Sequence, residues 1–427
     1  MKLLKNVYSR EIVVRDGKYI LCKSKEMLEM TFHQLLMPSQ VLYGKDSFTE
    51  VGKQAKALGK KVLIISDPIM DKIGNVKLCE TYLQNEGLPY AKYLGVDSEP
   101  TDIHVDEALA LCREEQCDVI VTVGGGSCID TAKAVAVIMT NGRHIRDYYA
   151  SKKLFDKKPL PLIVAPTTAG TGSEVTSVTV ITDTKHDVKM MLKQPELLPT
   201  VAIVDPTLTI SCPPPVTAAT GVDALCHALE AFISRRAQPV TDTLALQAIE
   251  LIMGNIRTAY TDGENIEARD KMALGSMLAG IAFSNASVTL VHGMSRPIGA
   301  MFHVPHGISN AMLLPAVLEF TKEEAAARLA EVARKVLKER VGLSEKELVA
   351  EFINEVKQLC KDLGIPNLKE WGIDKDKLDA VVAKMAEDAI ISGSPANNPK
   401  VPTHDEIVNL YYVCYEYELS VRQQVAK

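Results

Sequence analysis

The chain lacks most of the features that would point away from an ordinary soluble globular protein. Its nine cysteines are scattered from Cys22 to Cys414, odd in number, with no CxxC pair among them. A disulfide framework is therefore not expected, and free thiols in a reducing cytoplasm are. A dominant charge is missing too. The formal net charge is −6 over 427 residues, which favours neither nucleic acid nor an anionic membrane as a partner. No run reaches the roughly 18 uninterrupted apolar residues of a membrane span. The opening MKLLKNVYSREIVV is broken by Lys5, Arg10 and Glu11, which leaves no core for a secretion leader. Repeats and low-complexity tracts are absent as well. What remains, 47% apolar and 24% charged, is the balance of a soluble globular protein long enough for two or three domains.

Hydrophobic patterning divides the chain into three parts. Residues 1–30 read as an N-terminal appendage, with two β-type runs around Asp16-Gly17 that signal a hairpin. Residues 31–210 read as an α/β domain. KKVLIISD, CDVIVTVGGGS, PLIVAPTTAGTGSE and TVAIVDP are strand runs, separated by amphipathic stretches such as TDIHVDEALALCREE. Strands alternating with helices imply a mainly parallel sheet covered on both faces. The prolines of SCPPPVTAATG mark a boundary. Residues 211–427 then show apolar positions at helical spacing almost throughout, with capping-box starts at Thr321/Glu324, Ser344/Glu347 and Thr403/Glu406. An all-α C-terminal domain follows from this.

Three stretches carry chemistry. In VTVGGGSCIDTAK a strand runs through Gly124, Gly125, Gly126 and Ser127 into a helix. Glycines let the backbone approach a phosphate, and the helix N-terminus offers free N–H groups. The spacing is not GxGxxG, and the strand-end acid Asp67 precedes the turn instead of following it. Such an acid either holds a ribose 2′-hydroxyl, favouring NAD over NADP, or caps a helix. In PTTAGTGSE, hydroxylated and small residues follow a buried strand, well placed for a pyrophosphate or a nicotinamide ribose. Lys189 either faces the same crevice or is a solvated charge. The third stretch is GVDALCHALEA, in which Asp223 and His227 stand four residues apart on one helix face. His292 and His306, each followed by glycine, would complete a set of one carboxylate and three imidazoles suited to a divalent metal. His303 falls on another side of the FHVPH turn and reads as supporting or substrate-facing.

GGGSCIDTAK, PTTAGTGSE, ATGVDALCHALEA, LVHGM and VPHG, in that order, resemble the iron-dependent (group III) alcohol dehydrogenases over roughly residues 35–425. The resemblance implies a dinucleotide-binding α/β domain and a helical domain with NAD(P) and a divalent metal in the cleft between them. It matches Asp223, His227, His292 and His306 to the metal ligands, with Fe2+ expected and Zn2+ also compatible. It matches Gly125, Gly126 and Ser127 to the phosphate turn. Thr167, Thr168 and Thr171 match the nicotinamide-side loop with Lys189 beyond it, and Asp67 matches the NAD-preferring acid. Arg296 departs from the pattern, since several members carry a second histidine there. An arginine at this place either binds an oxyanion on the substrate or forms a structural ion pair. His292, Arg296 and His303 are thus the candidate catalytic residues. The expected activity is reversible hydride transfer between NAD(H) and a small alcohol or aldehyde, by a homodimer or larger oligomer. Alternatives are a reductase of small acidic aldehydes, a dehydroquinate-synthase-like lyase, and a non-catalytic binding protein.

Overall fold

The structure is a computed structural model that describes residues 11–15, 18–23, 26–30, 32–151 and 153–418. Two compact units are distinguished, Met1–Leu35 and Leu36–Lys427. In the first, β1 (Glu11–Arg15), β2 (Lys18–Lys23) and β3 (Glu26–Met30) form an antiparallel sheet in that order. Arg15 pairs with Lys18, and the hairpin signal at Asp16-Gly17 lies outside the described residues. The third strand was not anticipated.

The second unit opens with alternating strands and helices. The strands are β4 (Gln40–Tyr43), β5 (Val62–Ile65), β6 (Tyr90–Tyr93), β7 (Val119–Gly124) and β8 (Leu162–Pro166), then β9 (Val178–Asp183), β10 (Val188–Lys193) and β11 (Val201–Val204). Between them lie α1 (Val51–Leu58), α2 (Pro68–Lys72), α3 (Asn75–Asn85), α4 (Asp102–Glu114), α5 (Gly126–Asn141) and α6 (Ile145–Ser151). Six strands make a parallel sheet in the order β4-β11-β8-β7-β5-β6. Its central strands are apolar on both sides because both faces are covered. Leu63 and Ile65 of β5 pack with Val105 of α4 and Ile129 of α5. Val62 and Ile64 turn the other way, toward Val51 of α1 and Leu83 of α3. β9 and β10 form a separate antiparallel hairpin. Periodicity missed it, because GTGSEVTSVTVITDTKHDVKMML has no turn dipeptide of the usual kind.

The rest is helical: α7 (Pro214–Ile233), α8 (Pro239–Thr261), α9 (Ile266–Ala286), α10 (Leu290–Phe302), α11 (His306–Thr321), α12 (Ala326–Val336), α13 (Glu345–Asp362), α14 (Lys375–Ile391) and α15 (His404–Tyr415). Pro214 and Pro215 occupy the first turn of α7, where a missing N–H costs nothing. Capping boxes form at Ser344 and Thr403. The one expected at Thr321 does not. Thr321 ends α11, buried, and its hydroxyl accepts a hydrogen bond from Asn398. α7 is long and apolar enough to cross a membrane, but 83% of its most apolar window is buried inside the protein. It is the central core helix.

Gly172 and Gly280 lie back to back where the loop after β8 crosses α9. Gly172 has φ +60°, and a Cβ there would stand 2.6 Å from the Gly280 Cα. Gly172→Ala therefore meets a left-handed backbone and a neighbour without room. A loss of about 1–3 kcal/mol is expected in urea unfolding. A change below about 0.5 kcal/mol, the size of a typical surface effect, would show that the contact is loose.

Candidate metal and coenzyme site

From Gly221 to Ile233 every residue of α7 is buried. Three of them are polar: Asp223, His227 and Glu230. Their spacing places them along one helix face, and burial obliges each to find a partner. That face meets α10 and α11. One ligand-type atom each from Asp223, His227 and His292 lies within 4.8 Å of the others. His292 Nε2 is 3.5 Å from Asp223 Oδ1, and His306 Nε2 is 4.0 Å from the same oxygen. The His227 ring stacks between Phe283, at 4.1 Å, and His292, at 4.5 Å. The glycines after His292 and His306 permit this approach. A Cβ on Gly293 would stand 2.7 Å from Pro395, and one on Gly307 would stand 2.6 Å from the Ala219 carbonyl oxygen of α7.

The donor set fits a divalent cation. Asn310 Nδ2 donates to Asp223 Oδ1 at 2.6 Å and stands 3.2 Å from both His292 Nε2 and His306 Nε2. Three lone-pair atoms thus converge with one neutral amide to serve them. His227 Nδ1 is buried with no hydrogen-bond partner among the described residues. One carboxylate and three imidazoles suit iron or zinc. Asp223, His227 and His292 are buried, whereas the His306 side chain is 45% exposed. The cluster opens on the His306 side.

Glu230, absent from the sequence-based set, organises the cluster. Its carboxylate accepts from Thr289 Oγ1 at 2.8 Å and from the Val291 N–H at 2.6 Å, at the N-terminus of α10. It also binds His292 Nδ1. The bond at Nδ1 turns Nε2 of the same ring toward Asp223. A carboxylate behind a ligand histidine is the usual means of fixing its tautomer. The signal was present in GVDALCHALEA, as a second acid in an otherwise apolar helix seven residues after the first.

Electrostatics follow from this packing. Burial alone would raise the Glu230 carboxyl, but His292 and the hydrogen bonds from Thr289 outweigh it and hold it low. Burial likewise works against the charge on Asp223, yet the imidazoles of His227, His306 and His292 keep its carboxyl well below the usual range. Burial pushes His227 down to about 3. His292 goes the other way, to about 9, because Glu230 and Asp223 flank it and outweigh burial. Desolvation lowers His306, opposed by Asp223 and reinforced by His292, Arg296 and Lys189.

The other motifs gather at the carboxyl ends of the sheet strands. β5 is followed outward by β6, whereas β7 lies on its other side. The crevice at β5 and β7 is where such sheets bind ligands. Gly125 is the N-cap of α5, extended and without a side-chain cap. A Cβ on Gly126 would stand 2.9 Å from Thr171 Cγ2, and one on Gly125 would stand 4.0 Å from Thr168 Oγ1. The two loops therefore meet over bare backbone at a helix N-terminus, a cradle that a side chain would fill and a phosphate fits. Asp67 caps α2 through Oδ1, accepting from Ile69 and Met70 at 2.8 Å. Its Oδ2 faces Cys128 Sγ at 3.5 Å, next to the Gly124–Ser127 turn. Thr167 is buried, its N–H donating to the Gly124 carbonyl at 3.1 Å. Thr171 Oγ1 accepts from Ser173 N–H. Lys189 is 40% exposed and bonded to Glu99 at 2.6 Å. Ser127 lies in the first turn of α5.

His303 caps the C-terminus of α10 in the left-handed conformation, exposed, with its backbone N–H donating to the Gly299 carbonyl at 3.1 Å and no side-chain ion pair among the described residues. Arg296 is half-buried and has no carboxylate within ion-pair distance among the described residues, so the structural ion pair is not formed. Its polar contact is Met191 Sδ at 3.7 Å.

A buried network also ties α5 to the loop after β8. Lys133 Nζ donates to Ser173 Oγ, Thr176 Oγ1 and the Thr176 and Val178 carbonyls at 2.8–3.0 Å. Asp130 accepts from Ser173 Oγ and the Val180 N–H. Burial lowers Lys133 to about 8 and raises the neighbouring Glu174 from 4.5 to about 7.

Against known proteins, residues 38–206 match the model for iron-containing alcohol dehydrogenase, and residues 217–415 match that for the C-terminal part of the Fe-containing alcohol dehydrogenase family. The chain is 38% identical over 380 residues to a 1,3-propanediol dehydrogenase of Citrobacter freundii, covering 88% of this chain and 97% of that protein. It is 36% identical over 376 residues to an NAD-dependent methanol dehydrogenase of Bacillus methanolicus, with the same coverage of 88% and 97%. A crystal structure of a 1,3-propanediol oxidoreductase superposes with a TM-score of 0.86 at 37% identity, covering 90% of this chain and all of that one. The fold and the relatives define an oxidoreductase acting on alcohols. The chain belongs to the iron-containing alcohol dehydrogenase family.

Two outcomes follow. Glu230→Gln should weaken Fe2+ or Zn2+ binding about 10- to 100-fold in equilibrium dialysis, and unchanged affinity would free His292 from Glu230. For Glu174 the folded carboxyl is raised, so its stabilising contribution is present below about 4.5 and lost as pH rises through about 7. Glu174→Gln should therefore gain in melting temperature relative to the parent as pH goes from 5 to 8. A pH-independent difference would refute the assignment.

Proposed function

We propose that the chain is an NAD-dependent, metal-dependent alcohol dehydrogenase that interconverts a small primary alcohol and its aldehyde. The observation that carries this is the clustering of Asp223, His227 and His292, with His306 4.0 Å from Asp223 on the side where the cluster opens. A divalent iron or zinc ion held there would supply Lewis acidity to the substrate oxygen. NAD, seated at the strand-end crevice, would supply the hydride acceptor. The chain's own residues do the rest. Asp223 and Glu230 orient the imidazoles from two sides. Phe283 and the stacked rings close the inner wall and exclude water. Gly125, Gly126 and Ser127 present N–H groups to the pyrophosphate, with Thr167, Thr168, Thr171 and Lys189 on the nicotinamide side. Asp67 Oδ2 offers an acceptor to a ribose 2′-hydroxyl and repels a 2′-phosphate, which favours NAD over NADP. Support for NAD also comes from the relative named as NAD-dependent.

The test is anaerobic NADH oxidation by the iron-loaded protein with short aldehydes, alongside metal analysis. Asp223→Ala and His306→Ala should lose bound metal and turnover together. A variant that stays active while depleted of metal would end this reading. Substrate conversion without net change in NADH would favour a lyase instead.

A further inference from the structure

Arg296 is a half-buried cation with no ion-pair partner among the described residues, and the one acid whose charge acts on it, Glu230, lies beyond ion-pair distance. It lies four residues after His292 on α10, so the two share a helix face. Its guanidinium reaches only the Met191 thioether of β10, at 3.7 Å. By contrast, Arg257 pairs with Glu355 and Asp362, Arg328 pairs with Asp242, and Arg269 donates to Gly263, Thr217 and Cys212. The acids around Arg296 are already engaged. Glu230 is held by Thr289, Val291 and His292. Asp223 is held by Asn310 and the imidazoles. Glu99 is bonded to Lys189.

The location is also particular. Lys189 and Met191 stand two residues apart on β10, hence on the same strand face. Lys189 Nζ comes within 3.9 Å of the Cβ position of Gly299, three residues after Arg296 on α10. Both cations act on His306, the exposed member of the cluster. Lys189 is neutralised by Glu99 and Arg296 is not. The open side of the cluster thus presents a planar fork of free donors carried on α10 about one helical turn, a backbone rise of about 6 Å, beyond the ligand histidine.

We infer that the substrate is a short aldehyde–alcohol pair bearing a terminal oxyanion, such as a carboxylate or sulfonate, and that Arg296 is the residue that recognises it. This rests on the dehydrogenase reading above and specifies its substrate. The oxyanion supplies the missing counter-charge, and the guanidinium fork receives it through two parallel hydrogen bonds. A spacer of about two or three atoms between carbonyl carbon and oxyanion suits the one-turn offset. The reaction itself is unchanged, with aldehyde, NADH and a proton giving alcohol and NAD.

The experiment pairs acidic aldehydes with neutral ones of matched length, using the metal-loaded enzyme and NADH. Succinic semialdehyde is set against butanal, and sulfoacetaldehyde against propanal, which separates carboxylate from sulfonate. The parent should favour one acid over its neutral partner by about 100-fold or more in kcat/KM. In Arg296→Gln that ratio should collapse toward one, mostly through KM, with Arg296→Lys in between. Binding of the acidic alcohol product to the enzyme–NAD complex, followed by fluorescence, should weaken in parallel. Preference for the neutral aldehydes in the parent would overturn the inference while leaving the dehydrogenase reading intact. So would a Gln variant with an unchanged ratio, or with KM for NADH raised equally for both partners. No turnover of any aldehyde, with NADH still bound, would instead remove the dehydrogenase reading and this inference with it.

Discussion

One buried carboxylate holds the helical half of the site together. Glu230 has no water to share its charge, so every lone pair it offers must be met by the protein. It is met by the N-terminus of α10 and by the imidazole of His292. The same contact fixes where α10 starts and how the ring it carries is turned. A helix N-terminus welcomes an anion, and here the anion comes from another helix instead of a capping residue. Once α10 is anchored, His292 Nε2 faces Asp223, about two helical turns before Glu230 on α7. The Gly307–Ala219 contact then brings α11 close enough for His306 to join.

The sheet half is built on a different constraint. Its loops must expose backbone, so its support lies beneath them. Lys133 spends its whole ammonium on the strand-entry loop, and Asp130 bridges to the same segment. They hold the segment following Thr168 and Thr171, which faces Gly125 and Gly126. Both halves therefore use fully buried ionisable groups as braces and leave the exposed ones, His306 and Lys189, at the opening.

How much was legible in the chain differs between these parts. Asp223 and His227 could be read as a pair because one helix supplies both, and helical spacing is a local property. The glycine turn after β7 was legible for the same reason. Arg296 could be singled out by residue type, but its two readings, ion pair or oxyanion site, depend on which acids lie near it. Glu230, Asn310 and Lys133 were missed because nothing in their neighbours along the chain shows what they touch. The β9–β10 hairpin was missed because its strands are bounded by charged residues instead of a recognisable turn.

By itself the sequence determined the alternation that makes a parallel sheet, the proline boundary, the helical second half and the identity of the metal-type side chains. These follow from period, turn chemistry and residue type within a few positions of one another. Only the tertiary structure decided that Asp223, His227 and His292 cluster with His306 beside Asp223, that a second acid, Glu230, orients His292, and that Arg296 has no ion-pair partner among the described residues. Those facts depend on contacts between residues far apart in the chain, such as Glu230 with His292 and Arg296 with Met191. Burial gives such contacts their energy, and burial is a property of the packed whole.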